Sequence, residues 1–413
     1  MISSQTGSRF LTKLRLIPSG FLVGLIIAEV SLRLIGYSYP EFYQLDQSRG
    51  YCLRPGVEGW YRKEGGSYVR INSDGLRDRE HTKTKPADTI RIAVIGDSYA
   101  EALQVPMEAA FWSVMENRLQ SCAGVSGKPV EVLNFGVSGY GTAQELITLR
   151  EHVWAYSPDL VLLAVTTNND ITDNSRALKK SDEVPYFVYR DGSLVADDSF
   201  KSSRDFLWRQ TWLAALGRWL KDHLRLVQGI DQAQRGFKNL LSLWRAKENP
   251  GVVMPPVDKK ADPGLPADSS DLGIDNLVYF EPTTTVWNDA WRVTEALILT
   301  MRDEARSKGS RFVVATLSNG AQVLPKPEMT EKFMKQYGIT DLFYPDKRIK
   351  SLGAQEGIPV ITLAPELQSY AVRNQIFLHG FGATLSFGHW NGDGHRVAGE
   401  LLAQKLCQEA FPK

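Results

Sequence analysis

Cysteine is scarce: three residues in 413, Cys52, Cys122 and Cys407, far apart and with no C-x-x-C pair. That excludes a disulfide-built scaffold and a thiolate metal site, and it leaves room for at most one disulfide with an odd thiol over. Charge of one sign is equally lacking. Lys and Arg number 48 against 47 Asp and Glu, a formal net charge of +1, so bulk electrostatics argue for neither nucleic acid nor an acidic polymer as partner. There are six histidines; His389 and His395 stand six residues apart, and no Cys/His cluster supports zinc. No internal repeat and no phosphate-binding loop occurs. What remains is ordinary for a folded chain, 43% hydrophobic and 23% charged. At ~150 residues per domain this length predicts two or three folded units.

The first informative segment is Ile17 to Ile35, in which fourteen of nineteen residues are apolar or Gly. At 1.5 Å per residue it is about 28 Å long as a helix, close to the ~30 Å of a hydrocarbon core. Arg9, Lys13 and Arg15 precede it, which predicts a cytoplasmic N-terminus and an extracytoplasmic remainder. Glu29 and Arg33 interrupt the run at i,i+4 spacing, so they can pair on one helix face. The expectation is an uncleaved signal anchor over residues 16–36 behind a tail of residues 1–15. A cleaved signal peptide and a buried helix are the alternatives.

Residues 37–88 are rich in Tyr, Gly and Arg and carry the turn Asn72-Ser73-Asp74-Gly75 after an alternating stretch, which predicts a short β-rich extension. From residue 89 the rhythm is strand then helix. Apolar strands are expected at Ile90 to Ile95, Val130 to Leu133, Leu160 to Val165, Arg311 to Leu317 and Pro359 to Leu363. Helices are expected from about Pro106, over Thr142 to Tyr156, over Trp287 to Arg306 and over His395 to Glu409. Five apolar strands separated by helices predict an α/β fold, a parallel sheet with helices on both faces.

An insertion at about residues 171–285 interrupts the rhythm. Its stretch Lys201 to Glu248 has ten Lys/Arg against four Asp/Glu, with Trp208, Trp212, Leu216 and Trp219 on one helical stripe. Packing of that stripe onto its own domain is the expectation, and a membrane surface is the alternative. Asn249 to Ser270, with five Pro, reads as a loop.

Four clusters stand where chemistry is expected. Strand Ile90 to Ile95 runs into Gly96-Asp97-Ser98, which places a Ser beyond the carboxyl end of a parallel strand. The second strand runs into Asn134-Phe135-Gly136-Val137-Ser138-Gly139-Tyr140-Gly141, whose glycines permit tight turns but reverse the dinucleotide-binding order. The third ends in Thr166-Thr167-Asn168-Asn169-Asp170, and an Asn there can donate an N–H to an oxyanion. Gly388-His389-Trp390-Asn391-Gly392-Asp393-Gly394-His395 precedes the last helix. Each has a plain alternative, Ser98 as a turn cap or Asn391 as a helix cap.

In order and placement these blocks resemble the SGNH, or GDSL, hydrolases, over roughly Ile90 to Asp170 and Thr285 to Lys413. The branch most similar is membrane-anchored and extracytoplasmic, and includes enzymes of polysaccharide acetylation. The resemblance implies a flavodoxin-like five-stranded parallel sheet and a serine esterase or O-acyltransferase on acyl, above all acetyl, esters of carbohydrate. Ser98 would be the nucleophile and His389 the base, with the N–H groups of Ser98 and Gly139 and the side chain of Asn169 as the oxyanion site. No cofactor, metal or nucleic acid is implied; the partners are an acyl ester and the membrane. Two positions depart from the pattern. Thr167 replaces the usual Gly before Asn169, and Ser386 and Phe387 stand where an Asp usually precedes the His. Asp393 with His395 is the alternative acid–base pair, and a non-catalytic carbohydrate-binding or assembly module is the alternative function. A short Ser98–His389 distance favours the enzyme.

Overall fold

The computed structural model describes residues 4–234, 237 and 274–411, with side chains from residue 19 onward. The Pro-rich stretch Asn249 to Ser270 lies outside the described residues, as do the side chains of Arg9, Lys13 and Arg15.

The chain opens with helix α1 (Ser4–Leu34). Two antiparallel hairpins follow, β1 (Tyr43–Asp46) with β2 (Gly50–Leu53) and β3 (Glu58–Tyr61) with β4 (Ser67–Arg70). The turn after β4 closes on Asn72, whose Oδ1 accepts from the N–H groups of Asp74 and Leu76. Next come β5 (Ile90–Gly96), the short α2 (Ser98–Glu101), α3 (Phe111–Leu119), β6 (Val130–Asn134), α4 (Thr142–Glu151) and β7 (Leu160–Thr166). After α5 (Asn169–Asp173) and α6 (Arg176–Lys179), a third hairpin pairs β8 (Tyr186–Arg190) with β9 (Ser193–Asp197). Helices α7 (Arg204–Arg209) and α8 (Trp212–His223) follow. The fold closes with α9 (Thr285–Ser307), β10 (Arg311–Leu317), α10 (Pro327–Tyr337), α11 (Tyr344–Glu356), β11 (Val360–Thr362), α12 (Ala364–Asn374) and α13 (Gly392–Glu409).

All five expected strands form and pair in parallel, in the order β11-β10-β7-β5-β6. Numbered by first appearance this is 5-4-3-1-2, the flavodoxin-like doubly wound order, with its switch point between β5 and β7. Both sheet faces are covered, so successive strand residues serve opposite cores. Ile92, Val94, Leu160 and Leu162 belong to the core closed by α3 and α13. Ala93, Ile95, Val161 and Leu163 belong to the core closed by α4 and α9. The expected helix boundaries shift where caps compete. Asn391 caps α13 by accepting from Gly394 N, so that helix begins at Gly392. Helix α4 stops at Glu151 and a 3-10 turn takes over from Val153 to Tyr156.

The chain divides into two compact units, one of Met1–Glu41 with Gln210–Pro255 and one of Phe42–Arg209 with Pro256–Lys413. In the larger unit the hairpin extension has its own core, in which Phe42, Leu53, Val69 and Ile71 meet Leu103, Val137 and Tyr140. Those last three lie within five residues of Ser98 or Gly139 in sequence, which sets the extension against the candidate site. A disulfide joins Cys122 to Cys407, and Cys52 is the free thiol.

One expectation needs correction. The tryptophan stripe is not one helix, because Thr211 caps a new helix by accepting from Ala214 N. Nor is the stripe buried, since Trp212 is 71% exposed and Trp219 52%. Among the described residues no helix is long and apolar enough to cross a membrane.

Candidate active site

Strand β5 delivers Asp97 and Ser98 at its carboxyl end. Asp97 caps α2 by accepting from Tyr99 N at 2.9 Å, and the same oxygen accepts from Thr166 Oγ1 at 2.9 Å. Its other oxygen accepts from Asn169 Nδ2 at 2.9 Å. One buried carboxylate therefore fixes the Ser98 turn and the Asn169 turn to each other. An amide nitrogen carries two N–H groups, and Asp97 takes one of them.

The Ser98 side chain meets His389 across 291 residues of sequence, with Oγ 2.7 Å from Nε2. On the far side of the ring, Nδ1 lies 2.5 Å from Glu64 Oε2, while Glu64 Oε1 accepts from the backbone N–H of His389 at 2.9 Å. Glu64 lies in the turn between β3 and β4. A proton held on Nδ1 by this carboxylate leaves Nε2 free to accept from the Ser98 hydroxyl, the tautomer a general base requires. Burial works against the charged imidazole, but the hydrogen bond and charge of Glu64 outweigh it and raise the pKa of His389 above its ordinary 6.5. Burial likewise works to raise Glu64, and its bond to His389 outweighs that, leaving the carboxyl below its ordinary 4.5. Gly388 makes the approach possible: its φ is +78° and a Cβ there would lie 2.2 Å from Glu64 Oε1.

A second polar layer holds the His389 loop. The Gly388 carbonyl accepts from the Tyr99 hydroxyl at 3.1 Å and faces His379 Nδ1 at 2.9 Å. His379 Nε2 is 3.1 Å from Ser318 Oγ, which accepts from Trp390 Nε1 at 2.9 Å. Burial depresses His379 to a pKa of about 4, so it is a neutral strut and not a base near neutral pH.

The glycine turn is pinned from two directions. Tyr51 donates to the Ser138 carbonyl at 2.8 Å, and Lys179 donates to the Gly139 carbonyl at 2.6 Å. In a planar trans peptide the carbonyl and the following N–H point oppositely, so the Tyr51 bond turns the Gly139 N–H away from Tyr51. Gly139 itself has φ +76°, and a Cβ there would lie 2.7 Å from the Tyr51 hydroxyl. Glu101, in the same helix as Ser98, accepts from Tyr43 at 2.8 Å, and burial raises its pKa to about 7.

The structure thus brings Ser98 and His389 into direct contact and ties Asn169 to the Ser98 turn through Asp97. The alternative pair of Asp393 and His395 does not form. Asp393 bonds Arg396, whereas His395 is fully buried with Nδ1 accepting from Phe111 N at 3.3 Å. Sequence reasoning missed Glu64, Tyr51 and Lys179. Among the described residues no group of His, Cys, Asp or Glu is arranged to hold a metal ion.

No family model and no curated protein matches the sequence. Among solved structures, the chain is similar to an acetyl xylan esterase, AlAXEase, at 12% identity and a TM-score of 0.37 over 77% of this chain and 100% of the other. It is similar to a putative G-D-S-L lipolytic protein from Desulfitobacterium hafniense at 11% identity and TM-score 0.34, over 76% and 98%. A catalytic mutant of an acetylxylan esterase from Geobacillus stearothermophilus matches at 13% identity and TM-score 0.34, over 78% and 93%.

Proposed function

We propose that the chain is an SGNH-type serine esterase or O-acyltransferase acting on acyl esters. The observation that carries the reading is the hydrogen-bonded series Glu64–His389–Ser98 at the carboxyl end of β5. Ser98 Oγ attacks the ester carbonyl while His389 Nε2 takes its proton, and Glu64 balances the imidazolium that forms. The N–H groups of Ser98 and Gly139 and the side chain of Asn169 receive the oxyanion. His389 returns its proton to the leaving alcohol, and the acyl-serine passes to water or a sugar hydroxyl. Glu64 fills the role left open by Ser386 and Phe387, which removes the main reason for a non-catalytic module. The preference for acetyl and for carbohydrate follows from the motif resemblance.

Location is part of the proposal. Ile17 to Ile35 with its preceding Arg9, Lys13 and Arg15 supports a membrane anchor whose catalytic unit faces outside the cytoplasm. The Cys122–Cys407 disulfide supports an oxidising compartment. Full-length protein in detergent is expected to hydrolyse p-nitrophenyl acetate, and Ser98→Ala to lose that activity; equal rates would end the hydrolase reading. A reporter fused after Lys413 is expected to be active only outside the cytoplasm.

A further inference from the structure

The smaller unit exposes apolar helix faces. In α8, Trp212, Leu213, Leu216 and Trp219 stand at i, i+1, i+4 and i+7 and form one apolar face, and all four are exposed. Some polar groups of the same unit turn inward, Glu29 and Gln228 above all. Glu29 is only 16% exposed and accepts from Arg33 Nε at 2.8 Å and from the N–H groups of Arg225 and Leu226 at 3.0 and 2.8 Å. Arg33 also donates to the carbonyl of His223, the last residue of α8, at 2.6 Å. The Arg225 guanidinium reaches Ser38 and Gln228, and Gln228, itself buried, accepts from Tyr39 N. A helix in water buries its apolar stripe and exposes its polar one; here the apolar stripe of α8 is exposed. Helix α1 also exposes apolar surface, with Phe21 69% and Ile27 61% exposed less than three turns ahead of the inward-facing Glu29.

We propose that α8 is an interfacial helix, lying in the headgroup layer of a lipid bilayer with Trp212, Leu213, Leu216 and Trp219 toward the acyl chains. The inference rests on the reading of α1 as the membrane segment. Three features select lipid as the occupant. The apolar surface of α8 shares a compact unit with the apolar surface of α1, and a bilayer is a medium able to cover both. The polar latch that ties α8 to α1 sits at Glu29 and Arg33, where the apolar run of α1 ends and a membrane helix leaves hydrocarbon. Tryptophan is the residue enriched at that depth, and Arg33, 54% exposed, stands there at headgroup level. The protein then holds the membrane by two elements, and α8 adds a contact that α1 alone lacks.

The test uses the full chain in phosphatidylcholine–phosphatidylglycerol vesicles containing lipid brominated either near the headgroup end of its acyl chains or near their tips. Helix α1 contains no Trp, so quenching does not report on it. Shallow bromines are expected to quench tryptophan fluorescence more than deep ones, and Trp212→Phe/Trp219→Phe to lose most of that quenching. The paired Phe substitutions keep the face apolar, and p-nitrophenyl acetate turnover on the same samples should be unchanged, which separates this result from any failure of the esterase reading. An alkaline wash reports on α1. Protein retained through the wash but equally quenched in both forms, or quenched in neither, overturns the role of α8 and leaves the anchor standing. Protein released by the wash overturns both.

Discussion

Replacing Glu64 by Gln removes one charge and little volume from the site. In the wild type the carboxylate holds two N–H groups of His389, the ring Nδ1 at 2.5 Å and the backbone N at 2.9 Å. Both bonds exist before reaction, but only the ring bond gains when the imidazole becomes a cation. A charge-assisted hydrogen bond is worth about 1.5–3 kcal/mol, and a neutral Gln keeps a fraction of that. A Gln that presents its amide N–H₂ to Nδ1 also selects the wrong tautomer, in which Nε2 carries the proton and cannot take one from Ser98. The two effects together give about 3–5 kcal/mol, or about 10²–10⁴-fold in kcat at 1.36 kcal/mol per decade. The assay is steady-state hydrolysis of p-nitrophenyl acetate by Glu64→Gln and wild type, with thermal unfolding of both to show that the variant is folded. A folded Glu64→Gln enzyme with wild-type kcat refutes the assignment of Glu64 as the orienting acid.

Other predictions follow from the same contacts. His389 must be neutral to act as base, so the acidic limb of kcat/KM should lie above pH 6.5 in the wild type and move down in Glu64→Gln. Linkage gives a stability counterpart. Raised His389 stabilises the fold below pH 6.5 and loses that contribution as pH rises through its folded pKa; lowered Glu64 stabilises above pH 4.5 and loses it as pH falls. The gap in melting temperature between wild type and Glu64→Gln should therefore be widest between pH 4.5 and 6.5 and shrink on either side. Asn169→Ala should lower kcat about 10²–10³-fold in a folded protein, as loss of one oxyanion donor does; a loss no larger than in KM alone counts against that role. Tyr51→Phe removes the bond that turns the Gly139 N–H, worth about 0.5–1.5 kcal/mol, so kcat should fall about 2- to 10-fold with KM little changed.

The sheet was legible because each strand is an apolar run buried on both faces, a pattern that survives without an alignment. The places of Ser98, Gly139, Asn169 and His389 in the fold were legible for a related reason. Each lies in a short block at the carboxyl end of a strand or ahead of the last helix, where local sequence and fold coincide. Glu64 had no such block. It lies 325 residues from His389 in a hairpin turn, and a carboxylate in a polar turn looks like any solvated charge until the extension is folded against the site. Its only trace was negative: no Asp ahead of His389, and an extension of residues 37–88 with no assigned purpose. The tryptophan stripe failed differently. Helical spacing says that one face is apolar, not what that face meets, and here Trp212 and Trp219 meet nothing within the described chain that buries them.

Everything proposed for the site depends on Ser98 being a nucleophile activated by His389. The most direct measurement is reaction of the full-length protein with a fluorophosphonate, followed by mass spectrometry of the peptides. One stoichiometric adduct is expected on Ser98, absent in Ser98→Ala, nearly absent in His389→Ala and largely retained in His395→Ala. No adduct on Ser98, or one that forms as fast without His389 as with it, would contradict that activation.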